Sequence, residues 1–320
     1  MRNILGFLFA GAALVSALIS TPAEAQRDLV RIVVPFAAGS PLDVPVRALV
    51  ESLRLVTGRT YIVDNKPGAG GIIGTSEVAR AQPDGSVLLL TTGGHTTNAV
   101  LYKKLPYDSV RDFTPITKIS ESPGFVLLVG PESPYKTVQQ FIQAARDKPG
   151  AITYASAGIG NTTHLVGALF ARAAGIDMLH VPYKSPAMTD LIAGRIDAMF
   201  LGTTLARPYL QEGTVKALAI SGSARVSDLP DAPSFAELGF SEADVAAWTG
   251  LFGPAGMPAE TAQKLQADVA AAIRRPEYLA RTQILGLMPV ASTPAELSAY
   301  VATEIERYRK QLAPLGISLD

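Results

Sequence analysis

The sequence predicts an α/β fold of mainly parallel sheets flanked by helices, and three observations carry that prediction. From residue 29 onward, short apolar runs alternate with helical stripes, the βαβα rhythm of strands covered by helices on both faces. At 320 residues the chain exceeds one typical domain, so two domains are expected, each with an ample core. Hydrophobic residues make up 48% and charged residues 18%, a balance too apolar for a disordered chain.

Residues 1–25 precede the first predicted strand. Arg2 gives a short basic start, and residues 4–19 form an apolar run too short for a bilayer span, which needs about 20 residues. Ala23-Glu24-Ala25 then has the small-x-small pattern of a signal-peptidase site. The expectation is export, cleavage after Ala25 and a soluble mature chain that starts at Gln26.

Residues 30–34 read as a strand, stopped by Pro35 and by the small-residue loop 37–40. A helical stripe follows at Leu42, Val46, Leu49, Val50 and Leu53, with Asp43, Arg47, Glu51 and Arg54 between its members. Strand 61–63 leads through a loop rich in glycine to a helix that ends near Ala81, and strand 87–92 is cut off by Gly93-Gly94. The alternation continues with strand 125–129, helix 138–146, strand 153–156 and helix 163–174. Strands 178–181, 198–201 and 215–220 complete the series, with helices between them.

After Trp248 the rhythm changes. Residues 258–275 read as one helix, and Thr293-Pro294-x-Glu296 opens another as a capping box with proline at the first helical position. Two helices without new strands are expected to pack back on the first domain. Domain 1 would then be discontinuous, residues 27–124 plus 250–320, with 125–249 as domain 2 and a ligand cleft between them. The expected crossings lie near Phe125 and Trp248.

Composition excludes several functions. The net charge is zero and no run of like charge exceeds a pair, which argues against a nucleic-acid surface. Without cysteine there is no disulfide, thiolate metal site, cysteine nucleophile or acylated lipoprotein cysteine. None of His95, His164 and His180 lies within helical reach of another or beside an acidic cluster, so no metal site is expected. No cofactor is expected either, because Thr163 stands where a dinucleotide fingerprint needs its third glycine after Gly158-x-Gly160.

Two strand–loop–helix junctions remain, VVPFAAGSPLD at 33–43 and TYASAGIGNTTHL at 153–165. Each pairs small residues, whose backbone N–H groups can approach a ligand, with a helix N-terminus that favours an anion. In open α/β sheets, ligands sit beyond the carboxyl ends of strands. Ordinary turn chemistry accounts for either loop alone equally well. Asp43 has two readings: helix N-cap, favoured by Pro45 in the first turn, or a cleft-facing carboxylate with Ser40 as the cap. Ser156 and His164 suggest a nucleophile and base, but no G-x-S-x-G elbow surrounds Ser156, and His164 reads better as a packed or loop-bracing residue. Trp248 reads as core or hinge packing.

These segments resemble the extracytoplasmic solute receptors of tripartite tricarboxylate transporters, the Bug family. The resemblance runs from Leu29 to about Leu315. Its carriers are VPFAAGSPLDVPVR, VDNKPGAGGIIGTSEVARAQPDG, LYKKLPYDSVRDFTPIT, TYASAGIGNTTHL, HVPYK with TDLIAGRIDAMF, and GPAGMPAETAQKL. It implies a two-domain, Venus-flytrap periplasmic binding protein that closes on a small carboxylate through backbone N–H groups and bridging waters. The residues implied in that grip are Phe36, Ala37, Ala38, Gly39, Ser40 and Asp43 in the first loop. In the second they are Ser156, Ala157, Gly158, Gly160, Asn161, Thr162 and His164, with Thr92, Tyr183 and Thr203 beside them. Ser40 replaces the second glycine of the family loop, Asp43 matches its aspartate, and Ser185-Pro186-Ala187 is roughly two residues shorter than the family segment after Lys184.

The function expected is capture of a small organic anion, a mono- or dicarboxylate with aromatic ones included, for membrane transporter subunits. A monomeric, non-enzymatic receptor in a Gram-negative periplasm would do this without covalent chemistry. The rival is a secreted α/β hydrolase or transferase that uses Ser156 and His164. Intact-mass measurement of exported protein should show the loss of residues 1–25, and retention of Met1 would overturn the cleavage expectation.

Overall fold

The computed structural model describes residues 29–40, 42–183, 187–222, 224–226, 229–245, 247–283, 285–313, 316 and 319. The expected signal segment 1–25 and most of the shortened loop after Lys184 lie outside the described residues.

Two sheets organise the chain. The first contains β1 (Leu29–Val34), β2 (Thr60–Asn65), β3 (Val87–Thr92), β4 (Phe113–Ser122), β10 (Ala247–Pro254) and β11 (Met288–Pro289), in the order β11-β4-β10-β3-β1-β2. The second contains β5 (Phe125–Val129), β6 (Thr153–Ser156), β7 (Leu179–Pro182), β8 (Ala198–Gly202) and β9 (Lys216–Ile220), in the order β7-β6-β8-β5-β9. Helices α1 (Asp43–Thr57), α2 (Ile72–Ala79) and α3 (Gly94–Leu101) follow β1, β2 and β3. Helices α4 (Val138–Asp147), α5 (Thr162–Ala174), α6 (Met188–Ile192) and α7 (Thr203–Gln211) belong to the second half. Helices α8 (Ala259–Ala272), α9 (Pro276–Gln283) and α10 (Pro294–Leu312) end the chain.

The pleat of β1 explains why helices cover both faces of the first sheet. Val30, Ile32 and Val34 project to one side and pack with Val46, Leu49 and Leu53 of α1 and Leu265 and Val269 of α8. Val33 projects to the other, with Leu89, Phe252 and Leu297, Val301 and Ile305 of α10. The second sheet repeats this arrangement. Leu127 and Val129 meet Phe141 of α4 and Phe170 of α5, while Val126 and Leu128 meet Leu191 of α6 and Ala206 of α7. Helix α10 serves both halves, because Tyr308 and Leu312 at its far end belong to the cluster around Phe170. Thr293 and Glu296 form the expected capping box at its start.

The sheets are mixed rather than mainly parallel. The βαβ units are parallel, β1 with β2 and β3, and β6 with β7 and β8. The strands that carry the chain between sheets run back, so β10 is antiparallel to β3 and β4, and β5 to β8 and β9. The segment after Trp248, expected to add no strand, supplies most of β10 and all of β11. Being almost wholly buried, β10 lacks the alternation that marks a half-buried strand. Strand β4 also escaped the sequence pattern, since Pro115 interrupts it. That proline lies beyond the reach of β11, next to a register shift against β10. The helix expected over 258–275 stops at Ala272, and Pro276 starts α9.

The chain leaves the first sheet at Ser122–Phe125 and returns to it at Ala247. Gly124 has φ +112°, and a Cβ there would lie 2.3 Å from the Ser221 carbonyl oxygen, so only glycine fits this close crossing. The fully buried Ser221 joins the two connections. Its hydroxyl oxygen accepts the Phe125 N–H at 2.8 Å and its proton goes to the Val245 carbonyl at 2.9 Å. Ser221→Ala leaves both backbone groups buried without a partner, at about 1–3 kcal/mol each. Denaturant unfolding should show a loss of at least about 2 kcal/mol, and a wild-type value would mean that the crossings do not depend on this hydroxyl.

Candidate functional site

A cavity of about 300 Å³ opens where the two sheets meet, between the loops that follow β1 and β6. Of the residues put forward from the sequence, Phe36, Ser40, Thr92, Asn161 and Thr162 line it. Leu42, Pro45, Gly93, Ser120, Ser122, Phe125, Gly202, Thr204, Leu205, Ala247, Trp248, Thr249 and Leu287 complete the wall.

The first loop is held from behind. Its turn closes with Ser40 N–H on the Ala37 carbonyl, and Asn65 donates to the Phe36 carbonyl at 3.0 Å. Ala37, Ala38 and Gly39 form the exposed tip. Asp43 is the first residue of α1 and not its N-cap, a position taken by Leu42 without any side-chain cap. Its Oδ2 instead accepts the Gly39 N–H at 3.2 Å and the Arg47 Nε–H at 2.9 Å. The Arg47 guanidinium holds the Asp43 carboxyl below the ordinary carboxylate range. Asp43 therefore braces the loop, while the Ser40 hydroxyl lies buried with no partner.

Four backbone donors of the second loop are met within it. Ala157 N–H donates to Thr163 Oγ1, Gly158 N–H to Ser156 Oγ, Gly160 N–H to His164 Nδ1, and Asn161 N–H to the Gly158 carbonyl. Asn161 caps α5 by accepting the Thr163 N–H. Among the described residues, the N–H groups of Ile159 and Thr162 find no partner within the loop. Gly158, at φ +116°, has open space where a Cβ would stand. A Cβ on Gly160 would instead strike Leu319, so Gly158 is the cleaner position at which to perturb the loop.

Ser156 and His164 do not form the nucleophile–base pair of the rival reading. Ser156 Oγ lies 2.6 Å from Nε2 of His180, and His164 Nδ1 is occupied by the Gly160 N–H. The two imidazoles stack with centroids 3.9 Å apart. The remaining expected residues stand away from the cavity wall. Tyr183 donates to Asp190 at 2.7 Å, and Thr203 donates its N–H and hydroxyl to the Gly124 carbonyl.

Trp248, expected as core or hinge packing, also borders the cavity; it is 98% buried, with its ring packed beside Gly93. Its indole N–H donates to Glu304 Oε2 at 3.0 Å, and Thr96 Oγ donates to the same oxygen at 2.6 Å. Tyr300 donates to Oε1 at 3.1 Å. Burial raises the Glu304 carboxyl above its ordinary range despite these donors. The carboxylate thus ties α10 to the cavity wall from behind.

Histidine burial sets an acid limit on this arrangement. Burial pushes His164 down to about 4, helped by the neighbouring His180. His95 also falls to about 4, its Nδ1 buried without a partner among Tyr107, Phe113 and Phe252. Between about pH 6.5 and 4 the unfolded chain binds protons at these two histidines that the folded chain refuses, so their contribution to stability falls as pH falls through that window and is level above it. Each histidine should contribute about 3 kcal/mol over the window. Melting temperatures from pH 7 to 4 should therefore drop, less so in His164→Gln, and a flat profile would mean that these imidazoles are protonated in the fold.

The model of the tripartite tricarboxylate transporter family receptor matches residues 46–317. Among solved structures the chain is similar to the periplasmic binding protein BugD, with 35% identity, 90% of this chain and 98% of that one covered, and a TM-score of 0.78. It is similar to MatC of Rhodopseudomonas palustris with bound malate, at 33% identity, 89% and 98% coverage and a TM-score of 0.77. A third, an R. palustris protein with adipate, is 30% identical with 91% and 98% coverage and a TM-score of 0.80.

Proposed function

The chain belongs to the tripartite tricarboxylate transporter receptor family, and from that premise we propose that it captures a small organic carboxylate in the cavity between its sheets and delivers it to membrane transporter subunits. The family is one of non-enzymatic binding receptors, and the similar structures with malate and adipate support a carboxylate ligand. One observation carries the assignment to this cavity. Loops from both sheets meet there, one bringing a buried hydroxyl without a partner at Ser40 and the other a helix start at Thr162. A carboxylate supplies the acceptors that these donors lack.

The working residues of this reading are the two loops, 36–43 and 156–164, with Thr92 between them. Asp43, Ser156 and His164 act by holding loop backbone in place, and Tyr183 and Thr203 by fixing the elements behind it. The lobes of this reading divide at the two crossings, Ser122–Phe125 and Ala247, and are free to close about them. Similarity to periplasmic binding proteins and the leader pattern support a periplasmic receptor.

A panel of carboxylates tests the reading. A cognate ligand at a hundredfold excess over its dissociation constant should stabilise the protein by about 2.7 kcal/mol without being consumed. Thr162→Ala should weaken binding by about 1–3 kcal/mol, and Gly158→Val should weaken it further by redrawing the loop at a φ closed to β-branched residues. Wild-type affinity in both variants by calorimetric titration would place the ligand elsewhere.

A further inference from the structure

Charge is missing from the cavity wall. Among the described residues that line it, none is a lysine, arginine or histidine. Its large apolar side chains are Phe36, Leu42, Phe125, Leu205, Trp248 and Leu287. Three of the hydroxyls on the sheet side already have partners. Ser120 Oγ and Thr249 Oγ1 are 2.8 Å apart, and Thr92 Oγ1 accepts the Gly94 N–H at 3.4 Å. Ser40 is different, its hydroxyl being buried and unpartnered. Outside the loops the wall offers only the neutral hydroxyls of Ser122 and Thr204 beside apolar or already partnered groups.

We infer that the ligand is a monocarboxylate with an uncharged, apolar body about the size of one ring, its carboxylate at Ser40 and Thr162 and its body against Phe125, Leu205 and Trp248. This rests on the carboxylate-receptor reading and narrows it. A second carboxylate would lose its water beside aliphatic and aromatic side chains with no cation to meet it, a desolvation that hydroxyls do not offset. An apolar body gains from the same surroundings, because the area it removes from water contributes directly to affinity. A cavity of about 300 Å³ stands at the small end of ligand pockets and suits a single ring.

The experiment is calorimetric titration of the mature chain, dialysed free of carryover ligand, with five probes. These are benzoate, cyclohexanecarboxylate, malate, adipate and neutral benzamide. Benzoate or cyclohexanecarboxylate should bind at least tenfold tighter than either dicarboxylate, and benzamide should bind at least tenfold weaker than benzoate. Malate or adipate binding as tightly as both monocarboxylates, or any preference below tenfold, overturns this inference while the receptor reading stands. Benzamide matching benzoate overturns the carboxylate reading itself. No binding by any probe overturns the present inference.

Two variants locate the ligand's ends. Ser40→Ala should weaken the preferred monocarboxylate about tenfold to a hundredfold, the range for a hydrogen bond to a charged group. Leu205→Lys, at a position 41% exposed and so tolerant of a longer side chain, should shift the preference toward adipate by at least tenfold. An unchanged affinity in the first or an unchanged preference in the second overturns the corresponding placement.

Discussion

Two buried chain crossings must each find partners for their backbone polar groups, and the Ser221 hydroxyl meets that need for both at once. A backbone N–H or carbonyl removed from water without a partner costs as much as a lost hydrogen bond. Phe125 N–H and the Val245 carbonyl belong to opposite directions of travel between the sheets, yet they share one side-chain oxygen. That shared oxygen holds the outgoing and returning segments side by side. Because the crossings run together, β10 can slot between β3 and β4, and Phe125, Ala247 and Trp248 come to line one cavity.

The two loops that face this cavity reach rigidity by different routes. The loop after β1 borrows it from Asp43, whose carboxylate is fixed by Arg47 and accepts the Gly39 N–H. The loop after β6 closes on its own side chains, with Ser156, Asn161, Thr163 and His164 engaging its backbone donors. In neither loop does a charged side chain point the way. Recognition therefore depends on where neutral donors stand, and such donors act most strongly when nothing must reorganise to place them.

Local features were legible in the sequence and long-range ones were not. The capping box at Thr293 and Glu296, the helix after Asn161 and the βα junctions depend on spacings of a few residues, which any single sequence displays. The pairing of Ser156 with His180 depends instead on β6 and β7 being parallel neighbours. That places Tyr154 and Ser156 opposite His180 and Pro182, a matter of strand order that composition does not determine. Trp248, Ser120 and Thr249 were missed as wall residues for the same reason, since β4 and β10 meet across more than a hundred residues of chain. Residues expected to carry the chain between two domains, Phe125 and Trp248 among them, must also border any cleft between those domains.

Trp248 is the sole tryptophan of the sequence, and its position gives the molecule a natural optical reporter. One edge of the indole borders the cavity while its N–H is held by Glu304 on the far side, so the ring has little freedom to move. Its ultraviolet emission then responds to the polarity of whatever occupies the cavity, undiluted by other indoles. Occupancy can be followed by light alone in unlabelled protein, on the timescale of mixing, and the colour of the shift distinguishes water in the cavity from an oily guest.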